Sequence, residues 1–325
     1  MWKEKLNNDP TRWLLDSNPW TRYKTISELL DRTGDACAAK QTKKELLKHE
    51  LVQQLIKDTT NWYPQAVGRH NDPQLSHYKL RMLADFGINS NDPGINDILK
   101  KAASHQDNNL YAIRQQLPEK SFTKVNPDAD EWHALPCDSP IIAYILKIME
   151  WKDPDLNNNI DILINKWNDP KGWFCHFFFV EGHYKKLGIG CPMAGLMTLE
   201  LLSTLPGLKE SEFAKNAFAP IKFHYDYGKT IYYFGRSSKF RTLKYPYVWY
   251  NALYMAEVLS RFDFCKEEPL MQELIDWILS KQDEKGRFKP TSMFQAYKGW
   301  DFTNKKEASP WITFLCCRIL KRFYN

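Results

Sequence analysis

Strand-forming alternation, long apolar runs and regularly spaced cysteines are all scarce in this 325-residue chain. No sustained Val/Ile/Thr alternation occurs, and Phe174 to Val180 is too short and too uniformly apolar to classify, so an extended sheet is excluded. No apolar run approaches the roughly 20 residues that a membrane-spanning helix needs, and the opening Met-Trp-Lys-Glu-Lys lacks a signal-peptide layout. A soluble, cytoplasmic protein is expected, with no transmembrane segment. The seven cysteines include no Cys-x-x-Cys pair, which speaks for reduced thiols rather than a disulfide framework. A net charge of +6, spread among acidic residues, gives no reason to expect nucleic acid and leaves room for a small anionic ligand.

Hydrophobic residues are plentiful at 43%, enough for a large core, and aromatics at 14% bring many N–H and O–H groups that need partners. No break supports two domains, so residues 1–325 are expected to form one. Apolar spacing predicts a helix after Asn18-Pro19-Trp20, through Ile26, Leu29 and Leu30, and a second, amphipathic one over Lys43 to Thr59.

Further along, the pattern recurs. Ser139-Pro140, Cys191-Pro192, Tyr245-Pro246 and Ser309-Pro310 each precede a strongly apolar stretch, at intervals of roughly 50 to 65 residues. Proline suits a first helical turn, so each is expected to open a helix. The one after Pro246 is apolar nearly all round, broken by Asn251, Glu257 and Ser260, and must be buried on every side. Between these lie amphipathic segments, Ile160 to Asn168, Phe213 to Tyr225 and Leu270 to Lys281, each able to turn one face to water. Such alternation fits helical hairpins. With Pro19 and the stretch from His77 to Phe86 counted as two more inner helices, the expected fold is all-α, an (α/α)6 toroid of hairpins in two concentric rings. Residues 1–60 would pack on or complete the ring.

Gln282 with Gly286-Arg287-Phe288, and Trp167 with Gly172-Trp173, resemble the glutamine-tryptophan repeats of squalene-hopene cyclases and protein prenyltransferase β-subunits, both α/α toroids. Phe288 stands in place of tryptophan and Trp167 in place of glutamine. More of the chain is similar to a prokaryotic group of short, single-toroid, terpenoid-cyclase-like proteins. The matching stretches are Trp13-Leu14-Leu15, Asn18-Pro19 to Tyr23, Lys244-Tyr245-Pro246 to Tyr250, Lys298-Gly299-Trp300-Asp301-Phe302 and Ser309-Pro310-Trp311. Some members of that group carry a label suggesting a nucleotide-binding iron protein. Gly228-Lys229-Thr230 resembles the end of a P-loop, but Phe223 occupies the position of its first glycine, so the phosphate cradle is missing.

The resemblance implies several sites. Asp128-Ala129-Asp130-Glu131 resembles the catalytic acid of class II terpene cyclases, where crowded carboxylates keep one member protonated; it also reads as a solvated loop. Arg236, Lys239, Arg241 and Lys244 precede the helix expected at Pro246, with Lys298 and Lys306 before the one at Pro310. In chemistry they resemble the diphosphate site of prenyltransferases, and helix N-termini favour anions. Trp132, Trp173, Phe174, Phe177, Phe178, Tyr245, Tyr247, Trp249, Tyr250, Trp300, Phe302 and Trp311 gather where inner helices begin. They would form core, or line a cavity for an isoprenoid chain. His133, Cys137, Asp138, Cys175, His176, His183 and Cys191 are the metal candidates, with His183 also a ligand-binding candidate. Their spacing matches neither the zinc site of prenyltransferases nor that of lanthionine cyclases, so no cofactor is expected; zinc or magnesium is the alternative.

The leading expectation is a terpenoid cyclase/prenyltransferase-like toroid holding a hydrophobic or isoprenoid diphosphate ligand in its axial cavity. One alternative is a non-catalytic toroid that binds a protein partner. Another is a carbohydrate-active (α/α)6 enzyme, with Glu131, Asp138, Asp226 and Asp301 as available carboxylates.

Overall fold

The computed structural model describes residues 1–30, 36–64, 71–114, 132–174, 186–228, 234–235 and 237–325. Helix dominates. In chain order the helices are α1 (Thr11–Leu15), α2 (Pro19–Lys24), α3 (Ala36–Lys48), α4 (Glu50–Thr60), α5 (Ser76–Asp85), α6 (Ile95–Ser104), α7 (Asp138–Ile148), α8 (Leu156–Asn165), α9 (Pro192–Leu202), α10 (Glu212–Tyr227), α11 (Ala252–Leu259), α12 (Asp263–Lys266), α13 (Pro269–Leu279) and α14 (Pro310–Tyr324). Among the described residues no helix is long and apolar enough to cross a membrane.

The chain divides into two compact units. One comprises residues 1–57, 85–88 and 237–325; the other comprises 58–84 and 89–236.

In the second unit α7 packs against α8 and α9, and α9 packs against α10. Helix α9 is buried at every position, whereas α8 and α10 each keep a water-facing side, as their sequence patterns require. Gly195 lets α9 approach α10 closely: a Cβ there would lie 2.3 Å from the Ala217 carbonyl oxygen. Alanine is ordinarily the better helix former by about 1 kcal/mol, but backbone cannot yield as a side-chain tip can. Gly195→Ala is therefore expected to destabilise by about 1–3 kcal/mol. Urea unfolding would show it, and a gain in stability would contradict the close approach.

The first unit pairs α11 with α13 and α14, and α14 with α2, while α2 also meets α3. Helix α11 is buried throughout, as its all-round apolar sequence demands. Its start differs from expectation. The Tyr245–Pro246 peptide is cis, and the helix begins at Ala252, not near Pro246. Asn251 is the reason. In extended conformation its side-chain oxygen accepts from Tyr254 N, satisfying one of the amides that a helix start leaves open. Prolines 192 and 310 do stand at the first turns of their helices, and Pro140 lies two residues inside α7.

The segment from Lys43 to Thr59, expected as one helix, is split between α3 and α4 at His49, whose ring Nδ1 accepts from Leu51 N and whose carbonyl accepts from Val52 N and Gln53 N. His49 thus ends one helix and caps the next. Two small antiparallel ladders also occur: β1 (Gln106–Asp107) with β2 (Leu110–Tyr111), and β3 (Ile113–Arg114) with β4 (Trp132–His133). Asn108 and Asn109 join the first pair at positive φ of 50° and 62°, the conformation that a two-residue hairpin turn requires and asparagine tolerates.

The two glutamine-tryptophan-like stretches build the same turn, once in each unit. Gly172 N donates to Asp169 O at 2.9 Å, and Gly286 N donates to Asp283 O at 3.0 Å. Each aspartate carboxylate then accepts from the backbone N–H two residues on, of Lys171 and Lys285. Both stretches end on a buried aromatic residue whose carbonyl receives the N-cap amide of the next buried helix: Cys191 N to Trp173 O, and Ser309 N to Phe288 O. The sequence repeat is thus a structural repeat, helix, aspartate turn, aromatic latch, helix.

Candidate functional site

Helix α5 carries His77 and Arg81 four residues apart, hence on one face. Its apolar neighbours Tyr78, Leu80, Met82 and Leu83 are all buried, so the polar face is buried too. The start of α7 faces it. Cys137 is the N-cap of α7 and Asp138 its first residue, where a carboxylate is favoured by the helix dipole. His77 Nε2 lies 3.4 Å from Asp138 Oδ1, and the Cys137 thiol donates to Asp138 Oδ2 at 3.4 Å.

On its other side His77 meets Tyr63. The Tyr63 hydroxyl is hydrogen-bonded to His77 Nδ1. Tyr63 sits at φ +47°, a conformation a bulky residue seldom adopts, and its backbone N–H donates to Ser76 Oγ at 3.0 Å. Burial, reinforced by the Asp138 charge, raises the Tyr63 phenol well above its ordinary value, so it stays protonated. With the phenol donating, His77 Nδ1 would accept, and the proton of a neutral imidazole would then stand on Nε2, 3.4 Å from Asp138 Oδ1. Exposure is 2% at Tyr63 and 0% at His77 and Asp138. The arrangement sets a phenol, an imidazole and a carboxylate side by side in a buried site, with His77 the group able to exchange a proton.

One turn along α5, Arg81 Nη2 pairs with Glu200 Oε1 of α9 at 2.6 Å, while the guanidinium lies 5.8 Å from the centre of the Tyr144 ring. Trp132, the residue following the acidic stretch in sequence, stands edge-on to Tyr63 at 5.8 Å and stacks on His105 at 3.5 Å.

Of the sequence candidates, Cys137 and Asp138 belong to this cluster. Cys191 caps α9 instead, and His133 pairs with Ile113 across the second ladder. Among the described residues no group of three or more His, Cys, Asp or Glu side chains is placed to hold a metal ion. Asp128, Asp130, Glu131, Cys175, His176, His183 and Arg236 lie outside the described residues, as do Phe177 and Phe178.

The remaining loop cations are in the first unit and do not converge. Arg241 pairs with Glu273 at 3.2 Å; Lys244 lies 3.4 Å over the Phe294 ring, where burial lowers its pKa; Lys239 and Lys298 are exposed. The helix starts at Ala252, and its N-cap Asn251 donates through Nδ2 to the Lys244 carbonyl oxygen at 3.4 Å. Tyr245, Trp300 and Trp311 pack with Trp20, Phe86 and Phe302, most ring centres 5.0–5.6 Å apart. Tyr247 stacks on Tyr254, and half-buried Trp249 lies against Tyr250. Asp301 Oδ2 accepts from Ser309 Oγ and Trp311 N, latching the start of α14, and burial raises its pKa.

Tyr63, His77, Arg81 and Glu200 escaped the sequence reading. Glu200 carried a signal: it is the one charged residue in the apolar run of α9, and a charge buried there needs a partner. Neither protein-family models nor curated proteins give any match to this chain.

Proposed function

We propose that the chain is an α/α toroid protein of the terpenoid cyclase/prenyltransferase kind, binding a hydrophobic, isoprenoid-like ligand, with Tyr63, His77 and Asp138 as its proton-transfer centre. The observation that carries the reading is the buried phenol–imidazole–carboxylate contact. Three titratable groups from separate segments, one on a strained backbone, are held together where an apolar core would be simpler to build. His77 is the group that takes up or releases a proton; Asp138 and Tyr63 orient it. The helix–turn–latch repeat, made twice with the same hydrogen bonds, supports the toroid, since the resemblance to cyclase repeats rests on those residues.

Native mass spectrometry of freshly purified protein should show an added mass that lipid extraction identifies as an isoprenoid, or should show one after addition of a prenyl diphosphate. His77→Gln, which supplies a polar amide of similar reach with no proton-transfer capacity, should keep the ligand and lose any turnover. Absence of an isoprenoid mass under both conditions refutes the ligand class. Undiminished turnover by His77→Gln refutes the centre.

A further inference from the structure

A cleft of about 400 Å³ opens on the first unit, lined by Asn8, Asp9, Arg12, Trp13, Lys285 and Arg287 among others. Its walls are fixed by the second aspartate turn. Gln282 Oε1 accepts from Asn7 N at 2.7 Å, Gln282 Nε2 donates to Lys5 O at 3.2 Å, and Asn7 Nδ2 donates to Asp283 O at 3.0 Å. Gly286, at φ +67°, lets the two strands of chain touch, because a Cβ there would lie 2.0 Å from the Asn8 carbonyl oxygen.

The charges in this cleft are unbalanced. The Arg287 guanidinium is half-buried, 4.2 Å from the centre of the Trp13 ring, and its Nε is shut off from solvent with no hydrogen-bond acceptor. Among the described residues none of Arg12, Lys285 and Arg287 forms an ion pair. Of the two carboxylates on the rim, Asp9 is already engaged by Lys3 at 2.7 Å and by Thr11. That leaves Asp16 against three cations.

We propose that this cleft binds a phosphorylated small molecule through its phosphate or diphosphate group. Two guanidiniums can each grip phosphate oxygens bidentately, and Lys285 adds a point charge. Stacking on Trp13 holds Arg287 in place without using up its N–H donors. The volume lies within the roughly 300–1,000 Å³ of small-molecule sites, so the cleft has room for more than the anion itself. Nothing in this proposal depends on the Tyr63 centre.

Calorimetric titration of the full chain with inorganic pyrophosphate at low ionic strength tests it. One saturable site is expected, weakened about tenfold or more in Arg12→Met/Arg287→Met and weakened by added salt. Lys285→Glu, at an exposed position, keeps the test valid should the double variant fold poorly; it too should bind more weakly while melting like the parent. No saturable heat from the parent would overturn the proposal. So would parental affinity in Lys285→Glu, or a loss of binding on Lys239→Ala/Arg241→Ala with none on Lys285→Glu.

Discussion

Glu257→Gln should destabilise the protein by about 3–5 kcal/mol, the largest loss expected from any single charge in the first unit. Glu257 lies in the middle of α11 with no exposure, and three guanidiniums converge on it: Arg261 and Arg318 at 2.9 Å and Arg322 at 2.7 Å. Arg318 also reaches Glu28 at 2.9 Å, and Glu28 pairs with Lys24. Removing one negative charge therefore leaves several cations facing one another around a buried position, with Arg322, Arg261 and Glu28 partly open to solvent. Burial alone would favour the neutral acid, but Arg318, Arg322 and Arg261 outweigh it and hold the carboxyl down at about 2, from an ordinary 4.5. A depressed acid stabilises above its unfolded pKa. This contribution, on the order of 3 kcal/mol, is present above about pH 4.5 and is lost as pH falls towards 2. Denaturant midpoints measured from pH 7 down to pH 3 should fall in the parent and fall less in Glu257→Gln. Parallel pH curves would mean that Glu257 does not carry the dependence.

Arg81→Met should be nearly as damaging, at about 3–5 kcal/mol, because it deprives Glu200 of its guanidinium at a position with no exposure. The arginine by itself is not what the fold needs. Replacing both partners by apolar groups, Arg81→Met/Glu200→Leu, should recover most of the loss, since a well-packed apolar pair often equals or exceeds a buried ion pair in stability. Unfolding curves for the two variants decide the matter: equal losses would show that Arg81 acts through packing, including its contact with the Tyr144 ring, and not through Glu200.

Helix was legible in the sequence wherever apolar period and length agreed, as in α7, α9, α11 and α14. The glutamine-tryptophan-like repeat was legible, but the aspartate turn it builds was not, since Asp169 and Asp283 carry no signal of their own in the sequence. Helix starts were less so. Pro246 carries the same local signal as Pro192 and Pro310, yet Asn251 wins because its side chain caps the helix while the proline does not. His49 hid a helix break, since no proline or glycine marks it and the apolar period runs straight through. The short hairpin was missed because its strands are two residues long and only Asn108-Asn109 betrays it. The candidate centre lay deepest. His77 and Tyr63 are fourteen positions apart and Asp138 is sixty-one beyond His77, so no spacing rule links them; only the folded chain brings His77 within 3.4 Å of Asp138.

The division of the chain has a consequence for the order in which it is made. Residues 58–84 and 89–236 form one unit almost without interruption, whereas the other joins residues 1–57 to residues 237–325. Synthesis from the N-terminus therefore releases α2 and Glu28 long before α14, with Arg318, exists to cover them. The apolar side of α2 must wait, exposed or held by something else, through the synthesis of the whole intervening unit. Contacts this distant in sequence form late and slowly, so the N-terminal helices are the part of this protein with most need of a chaperone while it is being born.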